Sequence, residues 1–351
     1  MEARIVAASG IRFASIKAGK FRRDQRKGIS LASKLLNPTT LGLNARDMAR
    51  VGMGVIASLQ IIRSFKPEVI FLKGGFVCLP VGLAAHLLHV PYVIHESDVS
   101  PGLANRILSR WAEKIAVGFP AKSYPGFDAA RLVYVGNPIR PEILGAHRLE
   151  GLAAFGLSDK LPVILVTGGS QGAAEINDVV ISALPQLLER YQVIHQTGEG
   201  ELARIKFELS RQGSIPNASR YHPFAFLMKE MPQALAAADV IIGRAGVGTI
   251  SDSAALRKPT VLIPNNQMAA HQMANARMLA RMGAVRVIDT AKLTPERLVG
   301  EVRRILDNPQ EAVLLSRAIG EFARPEAAKD LARLVINSRM APKPERGVSD
   351  E

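Results

Sequence analysis

The residues whose types and spacing invite chemistry concentrate in one stretch, Ala238 to Pro264, which reads ADVIIGRAGVGTISDSAALRKPTVLIP. An apolar run of strand length, Asp239 to Ile242, breaks at Gly243 and continues through Gly246 and Gly248. A helical pattern then runs from Thr249 to Leu256, and a second apolar run, Thr260 to Ile263, follows. Glycines between a strand and a helix let a ligand approach the backbone without meeting a Cβ, and the helix N-terminus offers free N–H groups to an anion such as phosphate. Asp252, one turn into the helix, is placed to accept hydrogen bonds from a sugar hydroxyl. The same residues also fit a tight turn whose helix carries an acid to balance its dipole, so this stretch alone leaves both readings open. A second loop of the kind, Gly168-Gly169-Ser170-Gln171-Gly172, lies upstream, and Gly74-Gly75, His95-Glu96 and Asn137 mark the ends of three earlier apolar runs. His95 and Glu96 are the candidate acid–base pair; their other reading is as strand-end residues that orient a loop.

The elements that must position these groups alternate regularly from Glu68 onward. Strands are expected at Val69–Leu72, Tyr92–His95, Ile115–Val117 and Leu132–Val135, with helices at Val77–Leu88 and Pro101–Lys114, the latter capped by Ser100 with proline at its first position. Gly136-Asn137-Pro138-Ile139-Arg140 reads as a linker. The alternation then restarts: strand Pro162–Val166, helix Ala173–Arg190, strand Gln192–His195, helix Glu201–Arg211 and a short strand near Tyr221. Beyond the glycine stretch come helix Gln267–Arg281, strand Ala284–Ile288 and helix Pro295–Leu306. Strands alternating with helices imply parallel sheets covered on both faces, with ligands at the carboxyl ends of the strands. Two such halves joined by one crossing are expected: 1–138, 139–322, then a helix within 323–340 and a disordered tail at 341–351.

Composition narrows the class. A length of 351 residues at 48% hydrophobic content supplies two α/β cores. The one cysteine, Cys78, lies among apolar neighbours and excludes an internal disulfide framework. Forty-five basic against 31 acidic residues, a net charge of +14, favour an anionic partner such as a lipid surface. Aromatics are 5% and do not interleave with the basic residues, which argues against nucleic acid. The longest apolar region, Phe76 to Ile94, contains Pro80, His86, His89 and Pro91 and splits into a helix and a strand, so it is not a membrane span. Near the start, a strand is expected at Ile11–Ile16, followed by the basic cluster Lys17, Lys20, Arg22, Arg23, Arg26 and Lys27. Apolar helical stretches at Ile29–Leu43 and Met48–Ile62 follow, a pattern suited to a peripheral position on an anionic bilayer.

Five motifs in order, KGGFVCLP from Lys73, IHESDVSPGLANR from Ile94, GNPIR from Gly136, VTGGSQGAAEIN from Val166 and GRAGVGTISD from Gly243, resemble the MurG family of bacterial glycosyltransferases. The resemblance runs from about residue 1 to about residue 338. It implies a GT-B fold, two Rossmann-like doubly wound domains facing a cleft. It also implies metal-independent, cofactor-free, inverting transfer of N-acetylglucosamine from UDP-GlcNAc to a lipid-linked muramyl-pentapeptide at the cytoplasmic face of the membrane. By position, Arg140, Ser170, Gln171, Gly172, Met228, Arg244, Gly246, Val247, Gly248, Thr249, Ile250, Ser251, Asp252, His271 and Gln272 fall on the donor side. Gly74, Gly75, His95, Glu96, Asp98 and Asn105 fall on the acceptor side. Asp252 stands where the family usually has Glu, and Asp98 where Asn is common. The family's opening strand and GGTGGH loop have no counterpart here. About 40 residues are therefore expected to be missing from the first domain, leaving a gap in the middle of its sheet and no histidine of the family type. A partner-dependent UDP-sugar-binding protein is the alternative this raises. A sugar-nucleotide epimerase is disfavoured by PGLAN and GNPIR, and a nicotinamide dehydrogenase by the lack of a clean GxGxxG.

Overall fold

The computed structural model describes residues 6, 10–19, 38–169, 172–211, 213–265 and 270–339, with the side chains of 38–45 left aside. Ser170, Gln171, most of the basic cluster (Lys20, Arg22, Arg23, Arg26, Lys27), most of the stretch at 29–43 and the tail at 341–351 lie outside the described residues. The first half comprises α1 (Pro38–Phe65), β1 (Ile70–Leu72), α2 (Cys78–Leu87), β2 (Tyr92–Glu96), α3 (Leu103–Leu108), β3 (Lys114–Val117) and β4 (Leu132–Tyr134). Its strands form a parallel sheet in the order β1-β2-β3-β4, with β2 buried along its whole length. α1 turns Gly54, Ser58 and Ile62 inward, a four-residue spacing that gives it one buried stripe against α2.

After α4 (Pro141–Leu144) and α5 (Arg148–Ala154), the second half runs β5 (Val163–Thr167), α6 (Ala174–Leu187), β6 (Gln192–Gln196), α7 (Leu202–Arg211), β7 (Tyr221–Phe224), α8 (Met231–Ala237), β8 (Val240–Gly243), α9 (Val247–Ala255), β9 (Thr260–Leu262), α10 (Ala270–Arg281) and β10 (Arg286–Val287). The sheet order is β10-β9-β8-β5-β6-β7, all parallel. The winding reverses between β5 and β8. The loops leaving those two strands part to opposite faces there and open a crevice, the position where doubly wound sheets take ligands. α11 (Pro295–Leu306), α12 (Pro309–Gly320) and α13 (Ala327–Asn337) complete the chain.

Several expectations need correction. No strand forms at Ile11–Ile16; residues 11–19 are irregular. The helix expected at Met48–Ile62 is one long element, α1. The helix expected at Pro101–Lys114 shrinks to α3, with Gly102 rather than Ser100 as its cap. The cause is Glu96: its carboxylate accepts from the backbone N–H groups of Asp98 and Gly102, at 3.1 and 3.0 Å, which holds 97–102 as a loop. The first sheet has no gap between its described strands, because each pairs with its neighbour in chain order and β1 is left at an edge. Nor does the chain cross between halves only once. α13 returns to the first sheet, where Leu331 packs with Val93, Ala116 and Val135, covering a face that would otherwise expose the apolar side of β2 and β3.

The two halves share a continuous core: Leu72, Ile94, Val117 and Phe119 from the first join Ala245, Ile250, Ala276, Ile319 and Phe322 from the second. Phe119 and Phe322 meet edge-to-face at 6.4 Å between ring centres. Arg324 lies over the Tyr134 ring at 4.3 Å, beside Gly136, whose φ of +83° is a left-handed value suited to glycine.

Candidate active site in the cleft

The side expected to take the donor is built from the β8–α9 turn. α9 has Gly246 as its cap, with extended φ,ψ of −78°, 150° and no side chain to occupy the first-turn N–H groups. A Cβ at Gly246 or Gly248 would meet no atom within 4 Å, and neither residue has a positive φ. Glycine is therefore not required there by packing or by backbone conformation, and the space it leaves lies over a positive helix end. Gly172 differs: it has φ +73° and a Cβ there would lie 2.3 Å from the Thr197 carbonyl oxygen, so its glycine is structural.

Three residues expected on this side converge. Arg140, at the end of the linker, donates from its guanidinium to the Met228 carbonyl at 3.4 Å. The Arg140 charge also faces Asp252, whose carboxyl burial lifts to about 6, with Arg140 pulling in the opposite direction. Gln272, on α10, accepts from the Asn265 N–H at 3.1 Å, which fixes its side chain at the β9 end. Arg244, also expected on this side, lies beneath the glycine loop. Its guanidinium is buried, donating to Glu175 at 2.7 Å and to the Ile263 carbonyl at 3.3 Å, so it ties the glycine loop to α6 and β9.

On the acceptor side, Gly74 and Gly75 have φ of +96° and +84°, and a Cβ on Gly74 would lie 3.0 Å from the Asn105 amide nitrogen. Asn105 donates to Glu96 at 2.9 Å and to the His95 carbonyl at 3.2 Å. A cavity of about 630 Å³ opens beside them. Its wall includes Met48 and Val51 of α1, Gly75, Phe76 and Leu79, residues 100–104, and His271 from the second half. His271 and Gly75, expected on opposite sides, thus border the same space.

His95 does not fit the part of a base. It is fully buried, and the Lys73 ammonium sits 2.8 Å from Nδ1, which must accept; Nε2–H therefore donates to the Gly136 carbonyl at 2.9 Å. Burial first, and the Lys73 charge second, hold its pKa down to about 4. Glu96 is likewise occupied, accepting from Asp98, Gly102 and Asn105. Both carry the loop-orienting role. Lys73, which also donates to Ser97 at 2.7 Å, was not singled out by its type; its signal was its place directly before Gly74-Gly75. Burial depresses its ammonium, against the pull of Glu96 and Asp98.

Two parallel α/β domains that share a core, with a glycine-opened helix at the switch point of the second and a cavity bordered by both, define a GT-B glycosyltransferase architecture. Residues 163–331 match the glycosyltransferase family 28 C-terminal domain and residues 1–117 the family 28 N-terminal domain. The chain belongs to glycosyltransferase family 28 and, within it, to the MurG group. A Bacillus cereus UDP-N-acetylglucosamine–N-acetylmuramyl-(pentapeptide) pyrophosphoryl-undecaprenol N-acetylglucosamine transferase is 36% identical, over 94% of this chain and 87% of its own length. A Symbiobacterium thermophilum protein of the same name is 36% identical, over 99% and 88%. Among solved structures, Acinetobacter baumannii MurG is 26% identical with a TM-score of 0.70, covering 96% of this chain and 88% of that one. A Neisseria meningitidis UDP-GlcNAc 2-epimerase, at 13% identity and a TM-score of 0.62 over 82% and 81%, shares the fold alone.

Proposed function

We propose that this chain transfers N-acetylglucosamine from UDP-GlcNAc to a lipid-linked muramyl-pentapeptide, the reaction its relatives are named for, as a step of peptidoglycan synthesis. The observation that carries the reading is the convergence of Arg140, the Met228 carbonyl and Asp252 beside the open, uncapped end of α9. In this assignment the Met228 backbone meets the uracil ring and Asp252 accepts from the ribose. The N–H groups of Val247, Gly248 and Thr249 hold the diphosphate, a role that Gly172 shares and that the motif alone extends to Ser170 and Gln171, and Gln272 and His271 are assigned to the sugar. An acceptor hydroxyl attacks the anomeric carbon as the bond to UDP breaks, inverting the configuration there, and the hydroxyl proton passes to solvent water. Negative charge grows on the departing diphosphate, where a helix N-terminus and the Arg140 guanidinium stabilise it without reorganising. The cavity between α1, Gly75 and the loop at 100–104 takes the acceptor, and Asn105, in contact with Gly74 and Glu96, supports its wall.

Attachment to the membrane is peripheral in this reading. No helix of the described residues is long and apolar enough to cross a membrane. Exposed Met48, Phe76 and Leu103 line the cavity, and basic residues of the 17–27 cluster supply attraction to anionic lipid, each worth about 1 kcal/mol. Calorimetry with UDP-GlcNAc, UDP and NAD, together with UDP release in the presence and absence of lipid-linked acceptor, tests the assignment. Binding of both uridine ligands but not NAD, with release dependent on acceptor, is expected; acceptor-independent conversion of UDP-GlcNAc to a second sugar nucleotide would point to an epimerase instead.

A further inference from the structure

Asn275 lies one turn beyond Gln272 on α10 and has no exposed surface. Its amide makes three bonds in two directions. Nδ2 donates to Asp98 Oδ1 at 2.7 Å and to the Ala245 carbonyl at 3.2 Å, while Oδ1 accepts from the Val99 N–H at 2.9 Å. Ala245 immediately precedes Gly246, the cap of α9, so one grip is on the loop that presents the donor-facing N–H groups. Asp98 and Val99 belong to the loop at 97–102, which Glu96 staples through Asp98 and Gly102 and which runs on into the wall of the acceptor cavity. A single side chain therefore touches both loops that must face each other for transfer. An asparagine amide in neutral surroundings can turn over, because its oxygen and nitrogen have the same shape; this one cannot, with a carboxylate and a carbonyl facing Nδ2 and an N–H facing Oδ1. Asp98, the residue that departs from the family's common Asn, adds the one charged partner to that orientation.

We propose that Asn275, oriented by Asp98, is a positioning residue that sets the spacing between the donor loop and the acceptor loop, so that its loss slows sugar transfer while donor affinity is kept. The proposal rests on the transferase reading of the same cleft. A leucine of similar volume would fill the site but leave the Val99 N–H and the Ala245 carbonyl without partners, and would remove the link between the two loops. Donor binding survives because the α9 N-terminus, Asp252 and Arg140 make no bond to Asn275.

The test is the exchange of Asn275 and Asp98 in the full-length protein. In Asn275→Asp, two carboxylates face each other at hydrogen-bond distance and share one proton when they can. Above the pair's raised pKa both ionise and repel, and kcat should fall about 10- to 100-fold, with the UDP-GlcNAc KM within about threefold of wild type. As pH falls, one proton restores an O–H···O⁻ bond between the loops, so kcat relative to wild type should recover. Lys73, Glu96 and Tyr124 face Asp98, and Arg244, His271 and Arg277 lie on the elements around Asn275. All six are common to both proteins, so the wild-type profile is the baseline. The double variant Asp98→Asn/Asn275→Asp places a donor opposite an acceptor again between 98 and 275, though the Ala245 carbonyl still lacks its donor; it should regain part of the lost kcat and lose the pH-dependent recovery. Hydrogen exchange at the Val99 amide gives a readout independent of turnover: about tenfold faster than wild type in Asn275→Asp at high pH, and slowed again in the double variant. Wild-type kcat in Asn275→Asp, a loss that neither acid nor the exchange reverses, or a KM that rises as much as kcat falls would each overturn the proposal. If the wild-type protein transfers no sugar, the transferase reading fails instead, and Val99 exchange still decides whether the amide joins the loops.

Discussion

Replacing Asp252 by Asn should move ligand-free stability and donor affinity in opposite directions. Burial lifts this carboxyl from 3.8 to about 6. For an acid, a folded-state pKa above the unfolded one means that the folded protein holds the proton more tightly. Stability is therefore lost as pH rises through about 4 to 6 and stays lost above that. The full shift corresponds to about 3 kcal/mol, and partial exposure reduces it to about 1–2 kcal/mol. Asp252→Asn should thus raise the melting temperature of the ligand-free protein at pH 7. The donor behaves oppositely, because the ionised carboxylate is the better acceptor for ribose hydroxyls. With a pKa of about 6 in the free protein, UDP-GlcNAc affinity should weaken about tenfold between pH 7 and pH 5. UDP-GlcNAc itself, a diphosphate diester, has no proton to gain in that range. In Asp252→Asn the affinity at pH 7 should drop by about 1–3 kcal/mol, and most of the pH dependence should vanish. Calorimetry at pH 5, 6 and 7, with melts of the ligand-free proteins, measures all three quantities. A variant that binds UDP-GlcNAc within twofold of wild type at pH 7, or that keeps the full acid-side weakening, would refute the ribose assignment.

Gly248→Ala should leave the fold intact, or stabilise α9 by about 0.5–1 kcal/mol, because the added Cβ meets no protein atom. It should still weaken UDP-GlcNAc binding, and unchanged binding in calorimetry would mean that the open space at the helix end is not the diphosphate site. Buried His195 should make the protein acid-sensitive. Its Nδ1 accepts from the Tyr221 hydroxyl and its Nε2–H donates to Asn177, and burial holds its pKa down to about 3. The unfolded chain takes up this proton near 6.5, so stability is present above that value and is lost as pH falls below it, by about 2 kcal/mol at pH 5. His195→Gln should flatten the melting temperature between pH 7 and 5, and an equally steep profile would place the acid sensitivity elsewhere.

The strand–glycine–helix element at the crevice was legible in the sequence because its determinants are local. Glycines after a strand, a helical period and an acid one turn in all fall within 16 residues, from Ile242 through Arg257. Helix α11 was read to the residue for the same reason: Thr294 caps it by accepting from the Arg297 N–H, and Pro295 opens it. The failures lie where distant groups decide. Pro101–Lys114 has the composition of a helix, but the Glu96 carboxylate claims the N–H groups of Asp98 and Gly102 and delays helix entry until Leu103. His95 looked like a base because nothing nearby in sequence reveals that Gly136 and Lys73 occupy both its nitrogens. Asn275 carried no signal at all, since its partners Asp98 and Val99 are 177 and 176 residues away. α13 read as a helix, yet its docking on β2 and β3 follows from an uncovered sheet face that only the assembled topology shows.

The most direct test of the central claim is the product itself. The protein is incubated with UDP-GlcNAc and the lipid-linked muramyl-pentapeptide in anionic vesicles, and the lipid fraction is analysed by mass spectrometry and by the anomeric proton signals of the new linkage. The expected product is the acceptor carrying one additional N-acetylhexosamine in the β configuration, formed in step with release of UDP. Acceptor recovered unmodified while UDP-GlcNAc is still bound, or a sugar joined with retained α configuration, would contradict the account.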